Sequence, residues 1–435
     1  MSTDKLHRRS PVLWCLVCVV FVATSACVLF VPQYGAAKTK LTVWTKFTAD
    51  RSSDVATVAD FERAYPDIEV ELVGPKNDRS LVVAIAAGAA PDVSLIIATF
   101  DVPRFAQQGL ILPLDDFIAS AGLDLSSYAP GVVDSWKYQG KIWAMSYDTD
   151  IYMMHWHKGV FAQAGLDPEH LPQDITEFDR LARKLTEIDS TGTIQRMGFV
   201  PWQADWIAWA APWNIEWFDA ERMLITADND RVVEMFEWMA SYPERYGPGP
   251  IQALLSKIQG FEDGGALINE QVAMHLGGPW IATRLRRNAP DQEWGHGFLP
   301  YPVNGLPKAS TTNALMLVIP AGTRHSKEAF EFVRFYASPE QSLSGVRNGT
   351  RTGMPVIREP AQAFVKMYPE HRPIMEVLMG PNLRPHLPML PNSRFFREQL
   401  VWAKDQVISL TGTPRDVLQQ ITQRVQLDLD EAISP

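Results

Sequence analysis

The sequence predicts an α/β fold organised as more than one domain, and three observations carry that expectation. The chain has 435 residues, more than a single hydrophobic core organises. It is 46% hydrophobic and 10% aromatic, a composition that buries enough apolar surface to fold. Between Leu41 and Ile97 strand and helix patterns alternate as β-α-β-α-β, the signature of a sheet with helices on its faces.

Each element has a local reason. Leu41-Thr42-Val43-Trp44 is short, β-branched and apolar, a strand. From Asp54 to Tyr65, Val55, Val58, Ala59 and Ala64 recur at helical spacing, and Pro66 ends the run. Ile68 to Leu72 alternates apolar and acidic residues, as a half-buried strand does. Leu81 to Ala87 reads as a small apolar helix stopped by Gly88, and Val93 to Ile97 as a buried strand. Further along, Asp174–Ile188 and Lys327–Tyr336 have amphipathic helical patterns. Pro248-Gly249-Pro250 and the stretch Pro385–Pro391 read as irregular. The sequence has no internal repeat and no low-complexity tract.

Charge and cysteine usage narrow the function classes. The net charge is −10; residues 1–37 carry +2, so the body carries −12. An acidic body argues against a polyanion, nucleic acid or anionic membrane, as partner. The three cysteines are Cys15, Cys18 and Cys27, so beyond them there is no disulfide, thiolate metal site or cysteine nucleophile. Lys5, Arg8 and Arg9 precede a 20-residue apolar run, Val12–Val31, followed by Gly35-Ala36-Ala37 before Lys38. This is expected to be a secretory signal cleaved before Lys38, with an uncleaved anchor as the alternative, since 20 apolar residues also span a bilayer. A lipoprotein-type box at Thr24–Cys27 and a twin-arginine reading of Arg8-Arg9 are weaker variants. All of them export the body to the periplasm or cell surface.

Six fragments, in order, carry a family resemblance over nearly the whole body: Gly88–Val93 with Pro91-Asp92, Leu112–Phe117, Gly140–Asp150, Lys158–Leu166, Phe261–Trp280 with Gly277-Gly278-Pro279-Trp280, and Ala329–Glu340. Together they resemble the extracellular solute-binding proteins of ABC importers, of the carbohydrate type that includes maltose- and glycerol-phosphate-binding proteins. His155-Trp156-His157 departs from the family's Tyr-x-Asn. The resemblance implies a two-lobed periplasmic-binding-protein fold, a hinge crossed three times and a ligand cleft between lobes. The crossings are expected near Tyr147–Asp150, Thr311–Ala314 and Thr350–Pro355. The first lobe would be 38–148 plus 312–350, the second 149–311 plus 352–435.

Candidate ligand residues follow from chemistry and place. Sugar rings present flat C–H faces to aromatic side chains and hydroxyls to planar polar groups. Trp202, Trp206, Trp209, Trp213 and Trp217 lie within 16 residues, with Asp205, Asn214 and Glu216 among them, a composition suited to a sugar platform. Their spacing of four, three, four and four equally suits a stripe facing a core. Trp44, Lys46 and Phe47 follow one strand and Thr99, Phe100 and Asp101 another; loops beyond the carboxyl ends of strands face ligand in open α/β sheets. Tyr147, Asp148 and Asp150 sit at the first crossing, Asn313 at the second, Arg351 and Gly353 at the third. Gly278 and Trp280 combine a tight turn with an indole.

The expected function is capture of a carbohydrate, a mono- or disaccharide, and its delivery to the transmembrane subunits of an ABC permease. The protein is expected to be a monomer without cofactor, metal ion or catalytic residue. His155 and His157 could ligate a metal only with further partners, which do not cluster in the sequence. The motifs Gly-x-Ser-x-Gly, His-Glu-x-x-His and the phosphate-binding loop are absent from the sequence. One alternative ligand is a glycerol phosphodiester or polyol, which would call for more cations than Lys46, Arg351 and Arg79. Alternatives of another class are an extracytoplasmic glycosidase or lyase using Asp148 or Asp150 as acid, and a sensory partner of a membrane receptor.

Overall fold

The computed structural model describes residues 37–349 and 353–434; the leader, with its cleavage and anchor readings, and Arg351 lie outside the described residues. From Lys40 onward the chain builds two hydrophobic cores connected by a small sheet. The first core surrounds a four-stranded sheet in the order Leu315–Val318, Val93–Ala98, Thr39–Thr45, Ile68–Val73. Thr39–Thr45 runs parallel to Val93–Ala98, with Val43 opposite Val93. Leu315–Val318 joins the other edge antiparallel. The crossover helices are Ser52–Ala64 and Asp78–Ala86. Asn77 caps the second of these: its side chain accepts from Ser80 N at 2.9 Å while Ser80 Oγ accepts from Asn77 N. Gly88 follows with φ +67°, the left-handed geometry that releases the chain toward Pro91.

The second core lies around a three-stranded antiparallel sheet with Met153–His157 in the centre, flanked by Met274–Gly277 and Trp294–Gly297. The helices Asp230–Tyr246, Ser393–Ile408 and Pro414–Ile433 bury Phe236, Leu400 and Leu418 against it. Among the described residues, no helix is long and apolar enough to cross a membrane.

Between the cores lies the hinge sheet, ordered Met354–Pro355, Asp148–Ile151, Ser310–Asn313, Leu383–Pro385. Thr149 is opposite Met354, Asn313 opposite Asp150, and Thr312 opposite Pro385. The hydroxyls of Thr149 and Thr312 bond to each other in the middle of it.

Three local expectations need correction. The third passage between cores is not at 350–355: Met354, Val356, Ile357, Ala361, Phe364 and Ile374 remain in the first core, and the second core resumes only at Leu387. Helix Arg358–Met367 turns its apolar face back onto the first core, so the chain passes over at Leu383–His386 rather than assigning all of 352–435 to the second lobe. Pro248-Gly249-Pro250 is no loop but the first turn of helix Pro248–Leu255, where prolines lose nothing because the first N–H groups lack helical acceptors. The helix expected over 174–188 ends at Leu185, and Glu187–Ile188 pairs with Ile194–Arg196 instead.

A candidate ligand cleft at the hinge

A cavity of about 540 Å³ opens where the first core, the hinge sheet and the second core meet, within the ~300–1,000 Å³ typical of small-molecule sites. The first core contributes Lys46, Phe47 and Arg51, from the loop after the first strand. The Arg51 guanidinium lies 3.9 Å from the centre of the Phe47 ring, and Phe47 N donates to Thr45 Oγ1 at 3.2 Å. The loop is therefore pinned to the strand that carries it.

The hinge contributes Tyr147, Asp148 and Asp150. Tyr147 packs edge-on against Tyr336 at 4.7 Å, and Tyr336 donates to the buried Asp54 at 2.7 Å. Asp148 has room because residue 353 is glycine: a Cβ there would sit 2.5 Å from Asp148 Oδ2. Burial first, then the nearby Asp148 and Asp205 carboxylates, push the Asp150 carboxyl up to about 8, with Lys46 opposing. At neutral pH Asp150 thus holds its proton and can donate. Asn313, opposite Asp150 in the hinge sheet, has a buried side-chain oxygen with no hydrogen-bond partner in the protein.

The second core contributes helix Pro279–Asn288, from which Trp280, Thr283, Arg284 and Arg287 share one face at i, i+3, i+4 and i+7. Gly278 shapes this wall by its lack of a side chain: a Cβ there would fall 2.0 Å from a Trp280 ring carbon. Arg284 pairs with Asp263, another cavity residue. Behind Trp280, Tyr152 meets it edge-on at 6.1 Å and donates to Asp205 Oδ2 at 2.6 Å. Asp205 Oδ1 is 2.9 Å from His386 Nε2, and His386 Nδ1 is 2.9 Å from Thr311 Oγ1 of the hinge. Burial works against ionising Asp205, but His386 and the Tyr152 hydroxyl outweigh it and hold the carboxyl well below the usual range.

The cavity thus brings together Phe47, Tyr147, Asp148, Asp150 and Trp280 of the expected ligand residues, with Gly278 as support and Asn313 alongside. It does not include Trp202, Trp206, Trp209 or Trp213, which are at most 6% exposed inside the second core. Trp206–Ala210 is a short 3-10 turn. The indoles pack edge-on or tilted against helix Asp230–Tyr246: Trp206 on Phe236 at 5.6 Å, Trp209 and Trp213 on Trp238 at 5.0 Å each. Trp209 Nε1 donates to Pro201 O at 3.1 Å. The stripe reading, not the platform reading, describes these four. Trp44 leans on the first core beneath the Lys76 ammonium, 4.8 Å from its ring. Phe100 packs against the second core, and Asp101 is 1% exposed in an ion pair with Arg394.

Sequence reasoning overlooked Arg51, Asp263, Thr283, Arg284 and Arg287 as part of this site, and placed Asp205 in a tryptophan platform rather than behind Trp280. Helical periodicity from Trp280 would have found three of them; the place of Arg51, like that of Asp205, depends on tertiary partners that no spacing reveals. Among the described residues no three His, Cys, Asp or Glu side chains converge as a metal site.

Residues 44–342 match the model of the bacterial extracellular solute-binding protein family. The chain is 23% identical over 364 residues to the sn-glycerol-3-phosphate-binding periplasmic protein of Pectobacterium atrosepticum, covering 79% of this chain and 78% of that one. It is 22% identical over 319 residues to the arabinooligosaccharide-binding protein of Bacillus subtilis, covering 70% of each. Among solved structures, CpMnBP1 with mannotriose bound superposes with a TM-score of 0.78 at 24% identity, over 89% of this chain and 100% of that one. A family match over most of the chain, two cores joined by a shared hinge sheet and a cavity at their junction agree: the chain belongs to the bacterial extracellular solute-binding proteins.

Proposed function

We propose that the protein captures a mono- or disaccharide in the hinge cleft and presents it, lobes closed, to the transmembrane subunits of an ABC permease. The observation that supports this most is the placement of Phe47 and Trp280, from different lobes, around one cavity with the hinge acids Asp148 and Asp150 between them. Aromatic faces supply apolar area for ring C–H groups, and the acids and Asn313 supply directional bonds to hydroxyls. A ligand that touches both lobes stabilises the closed form by its differential contacts. The lobes in this reading are 38–148 plus 312–350, extended by 353–383, and 149–311 plus the chain after Leu387. The protein acts as an exported monomer.

The reading is of binding without chemistry. A glycosidase needs its two carboxyl groups on either side of the scissile bond. Asp148 and Asp150 occupy alternate positions of one strand, so both approach from the same side, and the third cavity carboxylate, Asp263, is held in an ion pair with Arg284.

A second ligand class has a specific observation in its favour. A phosphate ester calls for cations, and the cavity has four: Lys46, Arg51, Arg284 and Arg287. Calorimetric titration against mono- and disaccharides and against glycerol phosphodiesters separates the two. Saturable heat with a sugar recovered intact supports the first reading; binding restricted to the phosphodiester replaces it with the second, and hydrolysed sugar overturns both.

A further inference from the structure

The turn Thr99–Asp101 and the helix Ser393–Ile408 belong to different lobes. Val102, next to the turn, is buried in the first core, whereas Phe396 and Leu400 on the helix are buried in the second. One side chain ties them. Arg394 Nε donates to Asp101 Oδ1 at 2.8 Å and Nη2 donates to Asp101 Oδ2 at 2.6 Å, the forked pairing for which guanidinium and carboxylate are matched. Nη2 also lies 2.9 Å from Asp78 Oδ2, in the first turn of helix Asp78–Ala86. Asp101 is 1% exposed, and its carboxylate is paired with Arg394 from the other lobe and, within its own lobe, with Arg104 at 3.6 Å. One turn further along the same helix, the Arg397 guanidinium faces the Phe100 ring at 5.8 Å. Beside them Gln107 Nε2 donates to Ala432 O at 2.5 Å, again from first lobe to second.

We propose that Arg394 is an interlobe clasp: its forked bond to Asp101, seconded by Asp78, exists only while the lobes are together and sets how long the closed complex lasts. The proposal rests on the hinge-closure reading above, and it deepens that reading by assigning part of the closing energy to protein–protein contact rather than to ligand. Two parallel bonds of 2.6–2.8 Å do not survive separation of the lobes; on opening, Arg394 returns to water and Asp101 keeps only Arg104 of its own lobe. The clasp therefore raises the closed fraction before ligand arrives, and the apparent affinity rises with the fraction of molecules already competent. Loss of a forked partner acts on dissociation more than on association.

The test uses the full chain with Cys15, Cys18 and Cys27 replaced by Ser, since the whole chain then has no native thiol. Spin labels on Val55→Cys in the first lobe and Ile188→Cys in the second, both exposed, report interlobe distance without any ligand. Arg394→Ala is expected to move the ligand-free distances to longer values, and Arg394→Lys, which keeps the charge but loses the fork, to fall between. With the best-binding solute from the titrations above, Arg394→Ala should raise the dissociation rate about tenfold and leave association within about threefold. The pair Arg394→Ala and Asp101→Ala combined should cost no more than either alone, because they remove one interaction. Unchanged ligand-free distances overturn the clasp even if no sugar binds, so its failure is distinct from failure of the proposed function. A double variant with additive losses, or an affinity loss that merely follows a lower unfolding temperature, overturns it too.

Discussion

The second core and the cleft wall both use tryptophan, and they use it differently. Trp209 is fully buried, donates its indole N–H to Pro201 O and is surrounded by Phe199, Trp213 and Trp238. Trp280 stands on the first turn of a helix, half-buried, with one flank on Tyr152 and another on the cavity. A buried indole stabilises the fold through area and packing, whereas an indole on a cavity wall keeps a face for a partner. The surrounding geometry, not the residue type or its density in sequence, decides which.

The largest expected effect tests that contrast. Trp209→Ala should cost about 3–5 kcal/mol of unfolding free energy, the range for truncating a large core aromatic, with a correspondingly lower thermal midpoint. Trp280→Ala should do the reverse: a small loss of stability beside a loss of about 2–4 kcal/mol in binding, or ~30- to 1000-fold in Kd. Thermal unfolding and calorimetric titration of both variants decide it. Equal stability losses, or affinity lost at Trp209 and kept at Trp280, would reverse the assignment.

The same contrast explains what was legible in the sequence. Strands such as Val93–Ala98 and helices such as Ser52–Ala64 are set by short-range pattern, and both lie where the pattern puts them. The hinge acids were legible because Asp148 and Asp150 sit in a strand whose alternation keeps them on one side. The Trp202–Trp217 run is ambiguous in sequence because an indole block and a sugar platform have the same composition; what separates them is helix Asp230–Tyr246, thirteen residues further on, lying across the indoles. The third passage was misplaced because the return of Arg358–Met367 to the first core depends on what Ala361 and Phe364 meet there. Arg394 carried no sequence signal at all, since its partner Asp101 is 293 residues away.

A smaller effect separates the two regions by acid. On the second-core sheet His155 is opposite both His275 and His296, so three imidazoles line up across adjacent strands. His155 Nδ1 is 2.9 Å from His296 Nδ1, and His275 Nε2 is 2.9 Å from Phe261 O. Burial lowers His275 and His296 to about 4 each and His371 to about 3, with Arg286 and Lys158 adding repulsion at His296. These folded values lie below the unfolded value near 6.5, so the unfolded state binds more protons. The stability they hold is present above pH ~6.5 and is lost as pH falls toward 4. For His275 alone that amounts to about 2 kcal/mol at pH 5. Urea unfolding midpoints at pH 7, 6 and 5 should fall steadily in the native protein and less steeply in His275→Gln; parallel slopes would remove the ladder from the account.

An effect of the opposite sign lies on the cleft side. Asp150 is raised to about 8, above its unfolded value near 3.9, so here the folded state binds the extra proton. The stability linked to that proton is complete below pH ~4 and is lost as pH rises to 8, where the carboxyl ionises beside Asp148. Asp150→Asn, a neutral mimic of the protonated acid, should therefore leave affinity within about threefold at pH 7 and make the protein relatively more stable at pH 9. The pH dependence of binding then discriminates between ligand classes. A neutral sugar gains a charge-assisted acceptor when Asp150 ionises, so its affinity should hold or rise by up to about threefold from pH 7 to 9. A phosphate ester would meet a new negative charge in the same cavity and bind more weakly over that range. Titrations of both solutes at pH 7, 8 and 9, repeated with Asp150→Asn, read this directly. A flat Asp150→Asn profile beside a rising native one supports the sugar reading, and a native affinity that falls tenfold transfers the cleft, with its four cations, to the phosphodiester.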